Sequence, residues 1–480
     1  MNNRCDRRTG RAGKIDRRRF LQATAAAGAV TLAGAARARA ASSDKRPNIL
    51  YIFTDQQSAH MMSCTGNRYV KTPAMDSLAA TGARFERAYA SNPVCLPARF
   101  SMMTGRMPGE LLIRENSGIP KRGSVPDAML QQAMGWLFRR AGYEVLYGGK
   151  THWPRGMSVQ SIGFDPLTPN QRDGLADACA EFLKKKHDKP FLLVASFINP
   201  HDICYMAIRA HNAESGLGRA APPPLFEAMK FPDGVSVEDF YARHCPPLPE
   251  NFEPTVGEPD AIGGLLDLRA FRRYVRDNWT EQDWRLHRWA YCRLTERVDA
   301  QIGRVLKALG ENGLEKDTVV VFTSDHGDMD AAHRIEHKTT FYEEATRVPL
   351  IIRYPGRAKA GQVDREHLVS SGIDLIPTLC DYAGVAPPED LEGRSLRPLA
   401  EGREAGPWRE SLLVENEIGF MVHTGRYKYR RYDTGENREM LNDLQVDPGE
   451  MKNFAGDPAY EKILEEHRRY MDSHLGVRRP

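Results

Sequence analysis

The sequence predicts an α/β protein: a large mixed, mostly parallel sheet covered by helices on both faces, followed by a small antiparallel-sheet subdomain. Three observations carry this reading. Short apolar runs occur with no polar alternation, as strands buried on both faces require. Amphipathic helical patterns separate them, several ended by glycine. Beyond Pro398, short strand-like runs follow one another with no helix between them.

Buried parallel strands are expected at 48–53, 144–147, 191–197, 318–322 and 348–352. Helices are expected at 72–80, at 126–141 closed by Gly142, at 174–185, at 284–309 closed by Gly310, and at 373–382 closed by Ala383-Gly384. Alternation of the two patterns places helices on both sides of one sheet. From 203 to about 283 the periodicity is poor and proline frequent, as in Ala221-Pro222-Pro223-Pro224, which reads as an insertion shaping a cleft. Strands are then expected at 411–415, 420–424 and 427–432, followed by Leu441-Asn442-Asp443-Leu444 and a terminal helix over 458–475.

Polar groups sit where the carboxyl ends of these strands emerge. Asp55-Gln56, Lys150 with His152, His201, and Asp325-His326 each follow an apolar run closely. Ligands of open α/β sheets bind at that edge, so the four motifs point to one rim.

The chain has 480 residues, 41% hydrophobic and 27% charged, the composition of a soluble globular protein. Its formal charge of +4 is misleading, because the first 40 residues hold ten Lys or Arg against two Asp, leaving −4 for the remainder. No nucleic acid or anionic membrane is expected as a partner. The basic segment reads as a twin-arginine signal peptide over 1–40: Arg17-Arg18-Arg19-Phe20-Leu21, an Ala- and Gly-rich stretch, then Ala38-Arg39-Ala40. It is too poor in large apolar residues for stable membrane insertion. A periplasmic or secreted protein and a twin-arginine translocase partner follow. The eight cysteines include no C-x-x-C pair, which argues against a metal ribbon. Buried free thiols are the default, with a disulfide left open.

Cys95-Leu96-Pro97-Ala98-Arg99, followed by Thr104-Gly105-Arg106, has the C-x-P-x-R form. Gly149-Lys150-Thr151-His152, Pro200-His201, Asp325-His326-Gly327 and Lys338 accompany it in order. With Asp55-Gln56 upstream, the set resembles the type I sulfatases of the alkaline phosphatase superfamily over nearly all of the chain after residue 46. The resemblance implies an alkaline-phosphatase-like fold, with a catalytic domain over 41–400 and a small C-terminal subdomain over 401–480. It also implies that a maturation enzyme oxidises Cys95 to formylglycine, whose hydrate attacks sulfur. A divalent metal, Ca²⁺ by preference, would be held by Asp55, Gln56, residue 95, Asp325 and His326, although the imidazole also admits Mn²⁺, Mg²⁺ or Zn²⁺. Arg99 would hold the formylglycine, Lys150 and Lys338 the sulfate oxygens. His152 would act as base on the diol and His201 would serve the leaving oxygen. Pro97 and the residues after it read as a helix start aimed at the nucleophile. His333 and His337 are candidates for supporting or substrate contacts. Leu96 is bulkier than the family's usual residue, which puts substrate fit in question more than reaction type.

The expected reaction is hydrolysis of a sulfate ester, on a carbohydrate sulfate or sulfamate. Two alternatives stay open: a phosphonate monoester or phosphodiester hydrolase, and an inactive glycan-binding homologue with unmodified Cys95.

Overall fold

Asn48–Asp55 is buried at every position, and it becomes the middle of a large sheet. The computed structural model describes residues 46–116, 125–215 and 221–477, so the expected signal over 1–40 lies outside the described residues. The strands in chain order are β1 (Asn48–Asp55), β2 (Ala83–Phe85), β3 (Ala88–Tyr89), β4 (Glu144–Gly149), β5 (Asp165–Thr168), β6 (Phe191–Pro200) and β7 (Thr318–Ser324). They continue with β8 (Leu350–Arg353), β9 (Gln362–Asp364) and β10 (Val369–Ser370). Eight of them form one sheet in the order β5-β4-β6-β1-β7-β8-β2-β9, while β3 and β10 pair separately. The sheet is mixed and mostly parallel, as expected.

Side chains alternate across each strand and so feed two cores. Ile49, Tyr51 and Phe53 pack with Val319 and Val321 against Leu96 and Phe100 of the Cys95–Thr104 helix and Leu375 and Leu379 of the Leu375–Ala383 helix. Leu50 and Ile52 pack on the other face with Val320 and Phe322, under Met75, Phe182, Val298 and Ile302. The last two belong to Glu281–Glu311, a long helix started by reciprocal Thr280 and Asp283 capping bonds. The product is a helix–sheet–helix sandwich.

Strand register brings the polar ends level. Thr54 pairs with Ser324, Asp55 with Pro200, and Gly149 with Ser196. The residues that follow, Gln56, Lys150, His201 and Asp325, leave the sheet along one edge.

Several expectations are corrected. The run at 348–352 gives β8, which begins at Leu350 and lies antiparallel to β7. An apolar run encodes burial, not direction. The pattern at 126–141 breaks into two short helices, Asp127–Leu130 and Met134–Arg140. Gly310 does not close its helix, which runs to Glu311 and is capped by Asn312. A Cβ at Gly310 would meet nothing, so glycine there only weakens the last turn. The described residues of the 203–283 insertion are ordered by small helices of their own, including Cys204–Glu214, Asp260–Asp267 and Ala270–Asn278, which poor periodicity did not place. The seven described cysteines are free, but Cys64 is exposed rather than buried.

The second sheet joins β11 (Leu412–Asn416), β12 (Gly419–His423), β13 (Tyr427–Tyr432) and β14 (Glu439–Asp443), antiparallel in chain order. The Glu461–Val477 helix covers it through Leu464 and Met471, against Val422, Tyr429 and Leu441. Charges tie it back: Lys428 Nζ lies 3.0 Å from Glu343 and 2.9 Å from Glu450, which Arg430 also holds. Among the described residues no helix is long and apolar enough to cross a membrane.

Candidate active site

Cys95 is the first residue of the Cys95–Thr104 helix, two positions earlier than Pro97 suggested. Its sulfur therefore lies at the positive end of the helix, where the first N–H groups have no helical partner. Lys338 Nζ stands 3.0 Å from Sγ, His326 Nε2 3.1 Å, Asp55 Oδ1 3.6 Å and Lys150 Nζ 3.9 Å. Burial pushes the thiol up, but Lys150, Lys338, His326 and a hydrogen bond from His152 hold it well below the ordinary range. This cysteine is activated where the other buried ones are not: burial pushes Cys179 up to about 12, and Cys204 is raised too.

Arg99, one turn along the same helix, joins the two strand-end carboxylates. It donates from Nη2 to Asp55 Oδ2 at 2.6 Å and from Nε to Asp325 Oδ2 at 2.7 Å. Nη1 donates to Ser196 Oγ and to the Lys150 carbonyl, at 2.7 and 3.0 Å. Expected to hold the formylglycine, Arg99 directs these bonds to the carboxylates that stand beside residue 95. Asp55, Arg99 and Asp325 have no exposure at all, so an unpaired charge here would be costly. Lys150 adds a second cation to Asp55 Oδ2 at 2.6 Å. Burial and the neighbouring sulfur push Asp55 up, yet Lys150 and Arg99 hold its carboxyl well below the usual range. Asp325 is pushed up to about 6 by burial and by Asp55.

Two local features aim these groups. Gln56 turns off β1 with φ 67°, a left-handed conformation a side chain adopts only when its surroundings fix it. Here its Nε2 donates to Asp328 at 2.6 Å, and its Oε1 accepts from Lys338 at 2.7 Å. Gly149, at φ 93°, passes so close to the Ser196 carbonyl that a Cβ would collide with it. That approach sets Lys150, whose N–H donates to the same carbonyl at 2.9 Å.

His201 follows β6, with Nε2 3.5 Å from Cys204 Sγ. Burial, then Lys150, lowers it to about 4, leaving a neutral ring with one N–H to donate. His152 sits at φ 54° with Nδ1 buried and without a hydrogen-bond partner. His337 bonds to Glu336 at 3.1 Å next to Lys338, whereas His333 stacks on Tyr342 at 3.8 Å and bonds to Thr255, away from the sulfur.

Ligand atoms of Asp55, Cys95, Asp325 and His326 all lie within 4.8 Å of one another. Two carboxylates and one imidazole around residue 95 suit a divalent cation, so the residues present fit the expected metal. Gln56 adjoins them, its N–H donating to Asp325 Oδ1 at 3.0 Å. Sequence reasoning missed Ser196 and Asp328, which hold Arg99 and Gln56. Asp328 follows the Asp325-His326-Gly327 motif directly, and that proximity was the available signal.

The expected site residues thus gather around residue 95, and the Sulfatase family pattern matches residues 47–385. The chain belongs to the sulfatase family. It is a sulfuric ester hydrolase with the alkaline-phosphatase-like fold. A second pattern, that of the N-sulphoglucosamine sulphohydrolase C-terminal region, matches residues 331–475. This sulfatase is 32% identical over 458 residues to a Delta 4,5-hexuronate-2-O-sulfatase of Bacteroides thetaiotaomicron, covering 91% of this chain and 90% of the relative. It is 27% identical to an N-acetylglucosamine-6-O-sulfatase of the same species, covering 88% and 85%. The solved structure of a 2-O GAG sulfatase superposes with a TM-score of 0.77 at 30% identity, covering 90% of this sulfatase and 92% of that chain.

Proposed function

We propose that this sulfatase removes a sulfate ester from a sugar of the glycosaminoglycan type, with formylglycine made from Cys95 and a divalent cation. The carrying observation is the Cys95 sulfur at a helix start, facing two lysines and a carboxylate–imidazole cluster. The similar proteins act, by their names, on sulfated hexuronate and N-acetylglucosamine, which supports a glycan substrate. Residues 1–40 serve as the export signal, 41–400 form the catalytic domain and 401–480 the small subdomain. A maturation enzyme and the twin-arginine translocase are the expected partners on the way to the periplasm.

A sulfate ester resists attack because its oxygens repel the nucleophile and its alkoxide leaves poorly. Formylglycine supplies a hydrated aldehyde as nucleophile, and a divalent cation, when bound, supplies positive charge beside it. Asp55, Gln56, Asp325 and His326 would hold the cation, with Arg99 fixing both carboxylates in place. Three cations, Arg99, Lys150 and Lys338, face two carboxylates, leaving positive charge toward residue 95 for the sulfate oxygens. Lys150 and Lys338 neutralise those oxygens. His152 takes the proton from residue 95, and His201 donates to the leaving oxygen.

The test is sulfate release from a panel of sulfated monosaccharides, with nitrophenyl sulfate and an aryl phosphonate monoester as controls, using protein matured with a formylglycine-generating enzyme. Release from at least one sugar at a kcat/KM above that for the phosphonate is expected. Turnover of nitrophenyl sulfate with none of any sulfated sugar would reject the glycan reading.

A further inference from the structure

Four arginines are buried among the described residues, and three hold carboxylates. Arg99 holds Asp55 and Asp325, Arg106 holds Asp390, and Arg430 holds Glu450. Arg272 is the fourth, 8% exposed on the Ala270–Asn278 helix of the insertion. Among the described residues its hydrogen bonds are two long ones to neutral oxygens: Nη1 to the Leu265 carbonyl at 3.3 Å and Nη2 to Thr339 Oγ1 at 3.4 Å. Its Nε is buried with no partner. Glu336 and Glu417 act on this guanidinium through space, but neither hydrogen-bonds to it, so its N–H groups keep room for a carboxylate that binds directly.

Its position says whose anion. Thr339 follows Lys338, whose ammonium touches the Cys95 sulfur at 3.0 Å. Phe271, its chain neighbour, packs on the His337 ring at 5.5 Å. Glu336, Glu417 and Arg269 act on Arg272 through space, and the Cys204 thiol that is also near it lies 3.5 Å from His201. The guanidinium therefore stands on the insertion side of the same centre, one residue beyond the group that meets sulfate. A planar guanidinium with a free N–H matches the two oxygens of a carboxylate.

We propose that Arg272 is a specificity residue that binds the carboxylate of the substrate, and that the substrate is a sulfated uronic acid rather than a sulfated neutral or amino sugar. This rests on the reading that the sulfate of a sugar sits over residue 95. Leaving such an arginine unpaired rejects a sugar lacking the acid, because the site then buries a bare charge.

The experiment compares kcat/KM for an O-sulfated uronate, its carboxyl-reduced alcohol and a 6-O-sulfated glucosamine. Wild-type protein should prefer the acid over its reduced form by at least about tenfold. Arg272→Gln should bring that ratio close to one, and Arg272→Lys should keep part of it. A variant that slows both substrates equally and keeps the ratio would show a structural role and overturn the proposal. If Arg272→Gln fails to fold, wild-type protein still decides: a ratio near one, or preference for the glucosamine, overturns it. Turnover of the glucosamine alone would leave the glycan reading standing, while turnover of no sulfated sugar would bring down both.

Discussion

The ammonium of Lys338 lies 3.0 Å from the sulfur of Cys95 although 243 positions separate them in the chain. Gln56 Oε1 holds the same ammonium at 2.7 Å, so the cation is fixed before substrate arrives. A charge placed this way meets the sulfate oxygens that every substrate shares. Lys338→Ala should lower kcat/KM for a sugar sulfate and for nitrophenyl sulfate by a similar factor, about 10²–10³. His201→Ala should damage the sugar sulfate far more, because an aryl leaving oxygen hardly needs a proton. Equal losses on both substrates for His201→Ala would assign it to sulfate positioning instead.

Formation of formylglycine is read directly by mass. The tryptic peptide containing residue 95 should be lighter by about 18 Da than its cysteine form when the protein is made with a maturation enzyme, since the thiol is exchanged for an aldehyde. Cys95→Ala should have no measurable sulfatase activity and an unchanged fold by circular dichroism. Retained turnover in that variant would rule out residue 95 as the source of the nucleophile.

Arg99 spans Asp55 and Asp325 at 2.6 and 2.7 Å, so loss of either carboxylate leaves a buried arginine half-paired as well as a metal cage short of one charge. Asp55→Asn and Asp325→Asn should each lose bound metal and activity, and each should lower stability by about 3 kcal/mol or more. Metal analysis by plasma emission and urea unfolding check the two effects separately. Full metal occupancy in both variants would place the cage elsewhere.

The strands that carry the site were legible because a strand covered on both faces is mostly apolar, so the first ionisable residue after each run marks the rim. Asp55, Lys150, His201 and Asp325 were found in this way. β2 and β9 are three residues each, too short for any period to register. The break between Leu130 and Met134 carries no glycine or proline, so nothing in the pattern announced two helices. Ser196 was hidden for another reason. It reaches Arg99 only because β4 pairs with β6 in the register that sets Gly149 opposite it, and single-chain patterns do not encode register. Arg272 escaped notice because its significance lies in hydrogen-bonding to no carboxylate, which only the folded structure shows.

His423 gives a prediction for stability against pH, well away from the metal cage. Its ring is 1% exposed, Nδ1 accepts from the Gly425 N–H at 2.9 Å, and Nε2 then donates to Tyr89 Oη at 2.8 Å. A second ring proton would face the Gly425 N–H, and burial first, with Lys428 and Arg87, lowers this histidine to about 3 in spite of Glu343. The unfolded chain, with an ordinary histidine near 6.5, therefore binds a proton that the folded chain refuses. The stability tied to the neutral ring is complete above about pH 6.5 and is lost as pH falls toward 3. His333, also lowered to about 3, adds to the same slope. Replacing His423 by Gln keeps an acceptor and a donor but removes the titration. Between pH 6 and 4 the His423→Gln protein should lose stability less steeply than wild type, by up to about 1.4 kcal/mol per pH unit, the slope of one proton. Denaturant unfolding at several pH values measures the difference, and parallel curves for the two proteins would show that His423 titrates normally in the fold.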